Sequence, residues 1–339
     1  MKRKKPYKLV LIGTDSLRGK EIKNVLNNQK NPLGSLDFFD IDVEGEYSKL
    51  TRFRNEARVI FPLNEDALED VDLVFLAADK QTSRKYGLLT KKKRIPAIDL
   101  SEAFAEDQKV PVVVSGINDK ELLNKNSFLI ANPHPAVIAL SHILFVLRKS
   151  FGTEKAIVSV LQPVSAYDEL GIKELANQSL SMLNSASFSK KVFKSQIAFN
   201  LLSQVKSIDK YGFSETEKQI KWEVKQVLGD KDFPLSLSLL QTPVFHSYSF
   251  MIYVELAKKT RIPLIEEKLK QSPYLKFIPP SLACPVSSVS VVGKDEIFMS
   301  QVKQDDSFPN CFWLWAAADN LTRGSALNAY EAARTLLSQ

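Results

Sequence analysis

The feature that most constrains the fold is the alternation of short apolar runs with helix-like segments in the first part of the chain. Residues 8–13 (KLVLIG) form a β-rich run that ends in glycine, and residues 16–27 have the spacing of a helix. Nearly continuous apolar runs are typical of parallel strands buried on both faces. The pattern predicts an α/β fold with a Rossmann-like doubly wound parallel sheet, whose ligand crevice lies beyond the strand carboxyl ends. The further predicted strands are residues 36–41, 71–77, 95–100, 110–115 and 128–131.

The pattern changes after residue 132, where a long helical stretch is followed by a strand and by further helices to about residue 202. Alternating apolar residues beyond this point are typical of a sheet with one packed face. We therefore expect a second, α+β domain of dimerisation or catalytic type at residues 133–319. Residues 1–132 and 320–339 are expected to form the Rossmann-like, nucleotide-binding-type domain. The later predicted strands are residues 250–256, 287–292, 297–303 and 312–315.

Composition and charge exclude several classes of protein. The chain has 44% apolar and 25% charged residues, as ordinary globular proteins do. Its net charge is +7, but the basic clusters at residues 2–5 and 91–94 lack a nucleic-acid motif and aromatic interleaving, so we expect solvated faces and no nucleic-acid partner. The apolar run at residues 136–147 falls short of a membrane span, and residues 9–12 are too short for a signal-peptide core. No membrane association is expected.

The cysteines and histidines give no sign of a disulfide framework or a metal site. Cys284 and Cys311 are the two cysteines, and they stand too far apart in sequence for a metal cluster. The three histidines, His134, His142 and His246, lack metal-ligand spacing. We therefore expect no metal and a reducing, cytoplasmic location.

Four short motifs, in order along the chain, resemble those of the aspartate-semialdehyde dehydrogenase family. Residues 319–329 (DNLTRGSALNA) are similar to a DNL, GAA and N pattern of that family, and residues 98–104 (IDLSEAF) resemble its IDxSxAF element. Residues 162–165 (QPVS) resemble its QAVSGAG loop, and residues 132–135 (NPHP) fall where it carries asparagine, proline, asparagine and the nucleophilic cysteine. The chain thus resembles this family over most of its length, and especially its cysteine-lacking USG-1-like paralogues.

The resemblance implies that the family's nucleophile is absent. The family reaction begins with thiolate attack on an aldehyde, continues with hydride transfer to NADP, and ends with phosphate attack on a thioester. Pro135 occupies the nucleophile position and has no side-chain heteroatom. Ala105 stands where a phosphate-binding arginine is expected, while Gln162 matches the family's glutamine. We therefore expect the family reaction to be closed to this chain.

The same resemblance implies that the substrate contacts and the base have been replaced. Gln241 falls at a substrate-binding arginine and Tyr248 at the catalytic histidine. A gapped match would give that role to His246, and strand alternation predicts that residues 246 and 248 share a face. Gln219 or Lys218, depending on register, takes the place of a substrate-binding lysine. Glutamine lacks the charge with which arginine holds a carboxylate or phosphate.

The first strand-to-helix turn is a weakened nucleotide-binding motif. Gly13 and Gly19 keep its outer glycines, but Ser16 replaces the middle one. Asp40 and Asp42 stand near where the family holds the 2′-phosphate of NADP, and a carboxylate suits the ribose hydroxyls of NAD instead. We expect no dinucleotide or weakly bound NAD, and NADP is disfavoured. The candidate cofactor contacts are Gly13, Ser16, Gly19, Asp40, Ser165, Asn320 and Gly324.

Two other loops have also lost the glycines that the family uses against a dinucleotide. Ala78 and Asp79 replace a glycine-rich second loop, and Ala166 and Asp168 replace the glycines of the SGAG loop. The leading hypothesis is therefore a non-catalytic paralogue with a binding or regulatory role, which forms a homodimer through its second domain. The alternative hypotheses are an NAD(P)-dependent oxidoreductase of the same family with altered substrate and chemistry, and an active member whose nucleophile lies elsewhere.

Overall fold

The computed structural model divides the chain into two compact units, Met1–His134 with Ser325–Gln339, and Pro135–Gly324. None of the helices in the described part of the chain is long and apolar enough to cross a membrane. The described residues also contain no group of histidine, cysteine and acidic side chains arranged to hold a metal ion. Cys284 and the basic cluster at residues 2–5 lie outside the described residues. The structure describes residues 6–29, 33–43, 49–123, 128–203, 205, 207–281, 283 and 285–338.

The described part of the first unit is built on a seven-stranded sheet in the order β3-β4-β2-β1-β5-β6-β7. All neighbouring strands pair in parallel except β3 and β4, which are antiparallel. The bounds are β1 (Tyr7–Ile12), β2 (Gly34–Asp40), β3 (Leu50–Phe53), β4 (Glu56–Pro62), β5 (Leu73–Leu76), β6 (Ala97–Asp99) and β7 (Leu129–Ala131), with helices α1 (Leu17–Asn28) and α2 (Lys80–Lys93). The predicted Rossmann-like parallel sheet is confirmed.

The expected strand at residues 110–115 is wrong. This segment runs beside β7 but forms a single bridge, Val112 to Ala131. Pro111 has no N–H to give to a sheet ladder. The Asn118 side chain occupies two further backbone groups, because it donates to the Val112 carbonyl and accepts from the Val114 N–H at 2.8 and 2.9 Å. The apolar run is buried, and it bonds with β7 at a single residue: the Val113 N–H donates to the Ala131 carbonyl, and the Ala131 N–H donates to the Pro111 carbonyl.

The hairpin of β3 and β4 carried no recognisable sequence signal. Its two-residue turn consists of Arg54 and Asn55, both with positive φ of 50° and 63°. A turn of this hand matches the twist of two strands, and glycine is its usual marker. Because no glycine is present at either position, the turn could not be read from the sequence.

The described part of the second unit contains a six-stranded mixed sheet in the order β11-β12-β13-β10-β8-β9. The β8–β9 and β11–β12 pairs are parallel, and the other pairs are antiparallel. The expected α+β second domain is confirmed. The bounds are α3 (Pro135–Phe151), β8 (Thr153–Gln162), α4 (Asp168–Leu183), α5 (Glu215–Leu228), β9 (Leu235–Gln241), β10 (Tyr248–Leu256), α6 (Ile262–Lys270), β11 (Leu275–Phe277), β12 (Ile297–Gln304) and β13 (Cys311–Ala318).

Two expectations for the second unit are wrong. Residues 287–292 form turns rather than a strand, and helix does not continue to residue 202 because α4 ends at Leu183. The segment that follows α4 is held in place by two side chains of α4. The Glu174 carboxylate accepts three backbone N–H groups from residues 191–193, and Gln178 Oε1 accepts those of Ile197 and Ala198. These side-chain contacts replace the backbone bonds that a helix would supply.

The closing helix α7 (Leu327–Leu337) belongs to the first unit and packs in its apolar core. Leu327, Tyr330 and Ala333 are buried there with residues of α1 and the parallel sheet. The helix follows a π-type turn at Thr322–Ala326. The expected closing helix is therefore confirmed, although it begins several residues after residue 319.

Candidate functional site

The segment that matches the family's nucleophile ends in a proline that starts a helix. Pro135 is half-buried and is the first residue of α3, a position that suits proline because its missing N–H has no helical partner there. A Cβ added to Gly324 would lie 3.0 Å from the Cβ of Pro135, so the ring packs directly on this glycine. Pro135 and Gly324 therefore have a packing role that needs no ligand.

Three positions that the resemblance assigns to catalysis meet in one buried network. The register of β8 and β9 sets Gln162 opposite Gln241, and β10 begins with Tyr248 beside the end of β8. The Gln162 amide donates to Gln241 Oε1 at 2.8 Å, and the Tyr248 hydroxyl donates to Gln162 Oε1 at 3.0 Å. Gln241 Nε2 donates to the Gln162 and Thr242 carbonyls at 3.0 and 3.1 Å. The sheet itself brings the three side chains together.

This network is neutral and almost fully buried. Gln162, Gln241 and Tyr248 are 5%, 2% and 2% exposed. Buried amides and hydroxyls are stable when their donors and acceptors are paired, and these three pair with one another. No member carries the positive charge that would hold a substrate carboxylate or phosphate. A phenol also does not replace an imidazole, which exchanges protons near neutral pH.

The alternative candidates for base and substrate lysine lie elsewhere in the second unit. His246 is half-buried in the loop that precedes β10, so the expectation that residues 246 and 248 share one strand face is wrong. Gln219 donates to Glu223 Oε1 within α5 at 2.9 Å. Lys218 forms ion pairs with Glu215 and Asp209 at 2.5 and 3.5 Å. The charge of Lys218 is thus paired with local acids.

Ala105 lies in a loop of the first unit that is organised by one buried aspartate. Asp99 Oδ1 accepts the N–H and hydroxyl of Ser101, and Oδ2 accepts the Phe104 N–H at 3.1 Å. Burial raises the pKa of Asp99, and these hydrogen bonds act in the opposite direction. Ala105 is 5% exposed and presents only a methyl group. The IDxSxAF-like motif therefore has a structural explanation in this chain, and the arginine position is apolar.

The glycines of the nucleotide-binding-type turn are required by packing. Gly13 has φ of +91°, and a Cβ there would lie 2.2 Å from the Ala78 nitrogen. A Cβ on Gly19 would lie 2.0 Å from the Gly13 carbonyl oxygen. Ser16 is the N-cap of α1: its hydroxyl accepts the Gly19 N–H at 2.9 Å and donates to the Ala77 carbonyl at 2.7 Å. A side chain of the protein thus binds a helix N–H that a phosphate would need.

The other two polar positions around this turn are also engaged. Asp40 is 8% exposed, accepts the Asp15 N–H at 3.3 Å, and has a pKa raised by burial. Lys49 pairs with Asp15 at 2.5 Å. Asp79 caps α2 by accepting the N–H groups of Gln81 and Thr82 at 2.9 and 3.0 Å. A dinucleotide phosphate fits these turns poorly. The carboxylates bring negative charge close to it, and the Ser16 and Asp79 side chains already accept the helix N–H groups that a phosphate would bind.

The last two cofactor candidates tie segments of the second unit together. Ser165 and Asn320 are 5% and 3% exposed, and the Asn320 amide donates to Ser165 Oγ at 3.1 Å. Asn320 Oδ1 also accepts the Ser247 N–H at 2.8 Å. Their polar groups are thus used within the protein. We infer a structural role for both residues.

Tyr167 joins the buried network but carries no sequence signal that marks it. It is half-buried after β8, hydrogen-bonds with Gln162, and meets Phe193 edge-on with ring centroids 5.1 Å apart. Burial raises the pKa of its phenol. A lone tyrosine ahead of a helix is indistinguishable in sequence from a packing residue, since its contacts come from distant segments.

His142 is a second buried polar residue that the sequence does not distinguish. It is 2% exposed within α3 and stacks on Tyr274 with ring centroids 4.1 Å apart. Its Nε2 has no hydrogen-bond partner in the described structure. Burial, and then the nearby charge of Arg323, holds the pKa of His142 well below its ordinary value. The residue is therefore neutral in the folded protein.

Comparison with known proteins decides the family. Residues 8–125 match the family described as "Semialdehyde dehydrogenase, NAD binding domain", and residues 144–323 match "Semialdehyde dehydrogenase, dimerisation domain". The chain belongs to the semialdehyde dehydrogenase family. The family resemblance that was predicted from the sequence motifs is confirmed.

Relatives and solved structures agree with this family over nearly the whole chain. The aspartate-semialdehyde dehydrogenase of Rickettsia bellii (strain RML369-C) is 27% identical over 337 residues, 98% of each chain. A probable aspartate-semialdehyde dehydrogenase from Pseudomonas aeruginosa is 26% identical with a TM-score of 0.92 and 99% coverage of each chain. Aspartate semialdehyde dehydrogenase II from Vibrio cholerae shares the fold with a TM-score of 0.92 at 24% identity, also over 99% of each chain.

Proposed function

We propose that this chain is a non-catalytic member of the aspartate-semialdehyde dehydrogenase family, comparable with the USG-1-like paralogues, that acts in the cytoplasm by binding or regulation. The observation that carries the proposal is the neutral, buried network of Gln162, Gln241 and Tyr248. Pro135 at the start of α3 supplies no thiolate, and the chemistry of the family needs one in both halves of its reaction. The proposed domains are residues 1–132 with 320–339, and residues 133–319.

The proposal includes at most weak binding of NAD and none of NADP. Ser16 and Asp79 cap the helices whose N-terminal N–H groups would otherwise receive phosphates. Asp40 favours a ribose hydroxyl over a 2′-phosphate because a carboxylate repels the latter. The alternative, an oxidoreductase with altered chemistry, requires a dinucleotide that these turns accommodate poorly.

We also propose that the second unit forms a homodimer through the exposed face of its sheet. Register places Ile157 beside Tyr253, and Tyr253 beside Trp313, on this face. Ile157 is 46% and Trp313 36% exposed, and Met251 and Trp315 on the same face are half-buried. A contiguous apolar sheet face of this kind favours association, and a two-fold pairing would cover the same patch in each copy.

The experiment that tests the proposed function combines turnover and cofactor binding on the full chain. Wild-type protein is assayed with aspartate semialdehyde, phosphate and NADP or NAD, and calorimetry measures the affinity for each cofactor. We expect no turnover, no NADP binding, and NAD binding that is weak or absent. Turnover with either cofactor, or submicromolar affinity for NADP, would overturn the proposal in favour of a working oxidoreductase.

A further inference from the structure

A cavity of about 280 Å³ opens next to the buried network of the second unit. Gln162, Gln241 and Tyr167 form one wall, and α5 and β9 supply other parts of the lining. The volume lies near the lower end of the range for small-molecule sites, which are about 300 to 1,000 Å³. The cavity is large enough for a compact metabolite.

Several side chains that line this cavity carry hydroxyl groups. Ser203, Thr216 and Ser238 line it, and in the described structure no protein group hydrogen-bonds their side chains. Tyr167 adds an aromatic ring and a phenol at the wall shared with Gln162. Leu202 contributes apolar surface to the same lining. Open hydroxyls set among apolar and aromatic surface suit a ligand that alternates hydroxyl and CH groups.

The charges around the cavity disfavour an ionic ligand. Among the described residues that line it there is no lysine, arginine or histidine, and the one carboxylate belongs to Glu217. Glu217 is 8% exposed and already accepts three hydrogen bonds, from the Ser214 N–H and hydroxyl at 2.8 Å each and from the Leu239 N–H at 2.9 Å. An anion would meet this carboxylate without a compensating cation from the described lining residues, and an ammonium group would compete with donors already in place.

We propose that this cavity binds an uncharged, polyhydroxylated compound of monosaccharide size. The inference rests on the proposed function, because it gives the binding role of a non-catalytic chain a ligand class. Thr216 and Ser238 donate and accept hydrogen bonds with ligand hydroxyls, and Tyr167 packs against a CH face of the ligand. The buried Gln162–Gln241 pair forms the rigid wall that these contacts need, since its amides are held within the protein.

The test uses three probes that share one ring and differ in charge. D-glucose, D-glucuronate and D-glucosamine are titrated into the full-length, isotope-labelled protein, with myo-inositol as a second neutral probe, and backbone resonances near Ser203, Thr216 and Ser238 are followed by NMR. We expect saturable shifts with at least one neutral probe and at least tenfold weaker binding of both charged sugars. Equal or tighter binding of glucuronate or glucosamine overturns the proposal, as does the absence of saturable binding by both neutral probes.

Variants locate the binding and separate it from the proposed function. Thr216→Val and Ser238→Ala each lower the affinity for the neutral probe about fivefold, which corresponds to the loss of one ordinary hydrogen bond. The control is Ser236→Ala, an exposed serine of β9 outside the cavity lining, and it leaves affinity unchanged. An equal loss in the control, or no loss in either cavity variant, refutes the site. The same samples are assayed for turnover of aspartate semialdehyde. Turnover would refute the non-catalytic function, whatever the sugar titrations show.

Discussion

Tyr248→Phe measures whether the buried network serves the stability of the fold or is held ready for chemistry. The substitution removes one oxygen and leaves the ring, so it opens little cavity volume. It deletes the hydrogen bond of 3.0 Å from the Tyr248 hydroxyl to Gln162 Oε1. Both side chains are at least nineteen-twentieths buried, so water does not readily replace the lost donor.

The size of the effect follows from the cost of one buried hydrogen bond. A typical bond contributes about 1 kcal/mol, and an acceptor left without its donor raises the cost to roughly 1 to 3 kcal/mol. The side-chain oxygen Oε1 of Gln162 is such an acceptor. We expect the free energy of unfolding to fall by about 1 to 2 kcal/mol, which lowers the Tm of a unit of this size by about 2 to 8 °C.

The assay is urea and thermal unfolding followed by circular dichroism, with Tyr211→Phe as the matched control. Tyr211 is 74% exposed, so the same chemical change there should leave stability within about 0.5 kcal/mol of wild type. If Tyr248→Phe were as stable as wild type or more stable, the hydroxyl would not serve the fold. Functional sites commonly sacrifice stability, so that result would favour the alternative oxidoreductase.

Three further outcomes follow from the structure. The pKa of His142 is lowered in the folded protein, so His142 stays neutral there but takes up a proton in the unfolded chain as pH drops below about 6.5; the free energy of unfolding should then fall by up to about 1.4 kcal/mol per pH unit. His142→Phe should flatten this slope in urea titrations at several pH values. Asp79→Ala removes the N-cap of α2 and should lower the free energy of unfolding at pH 7 by about 1 kcal/mol, measured by denaturant unfolding. Hydrogen bonding with Thr82 lowers the pKa of Asp79, so the stabilisation by this cap is present above about pH 4 and is lost as pH falls through the lowered pKa. Trp313→Glu should convert the proposed dimer to monomer in light scattering. A reductant should leave that dimer intact in the wild type, because Cys311 is buried and no disulfide is expected to bridge the two copies.

The parts of the fold that were predictable are those with local signals. The apolar run and glycine of the first turn fix β1 and the start of α1, and Ser16 is a helix-capping residue at the position where the helix begins. Pro135 likewise marks the start of α3. The β3–β4 hairpin was missed because Arg54 and Asn55 adopt positive φ without glycine.

The site was only partly predictable. The sequence motifs indicate which residues belong to it, but the hydrogen bonds among those residues depend on how the strands pair. The family motifs name Gln162, Gln241 and Tyr248 as positions of interest, but their mutual hydrogen bonds depend on the register of three strands that are distant in sequence. A strand register is a property of the whole sheet. For the same reason, the placement of His246 in a loop rather than on β10 could not be inferred from alternation alone.

The most direct measurement of the central claim is the rate of phosphate-dependent NADP reduction by Pro135→Cys with aspartate semialdehyde. A thiol without an imidazole partner stays mostly protonated at neutral pH, since an ordinary cysteine pKa is about 8.5. Each missing arginine contact, at Ala105 and Gln241, is worth about 1.5 to 3 kcal/mol, or roughly 10- to 150-fold in rate. We predict no turnover by the single variant. The same assay is run on the wild type and on a folded variant that carries Ala105→Arg, Gln241→Arg and Tyr248→His in addition. Robust turnover by Pro135→Cys alone would contradict the account, because a neighbour such as His246 would then already serve as the base.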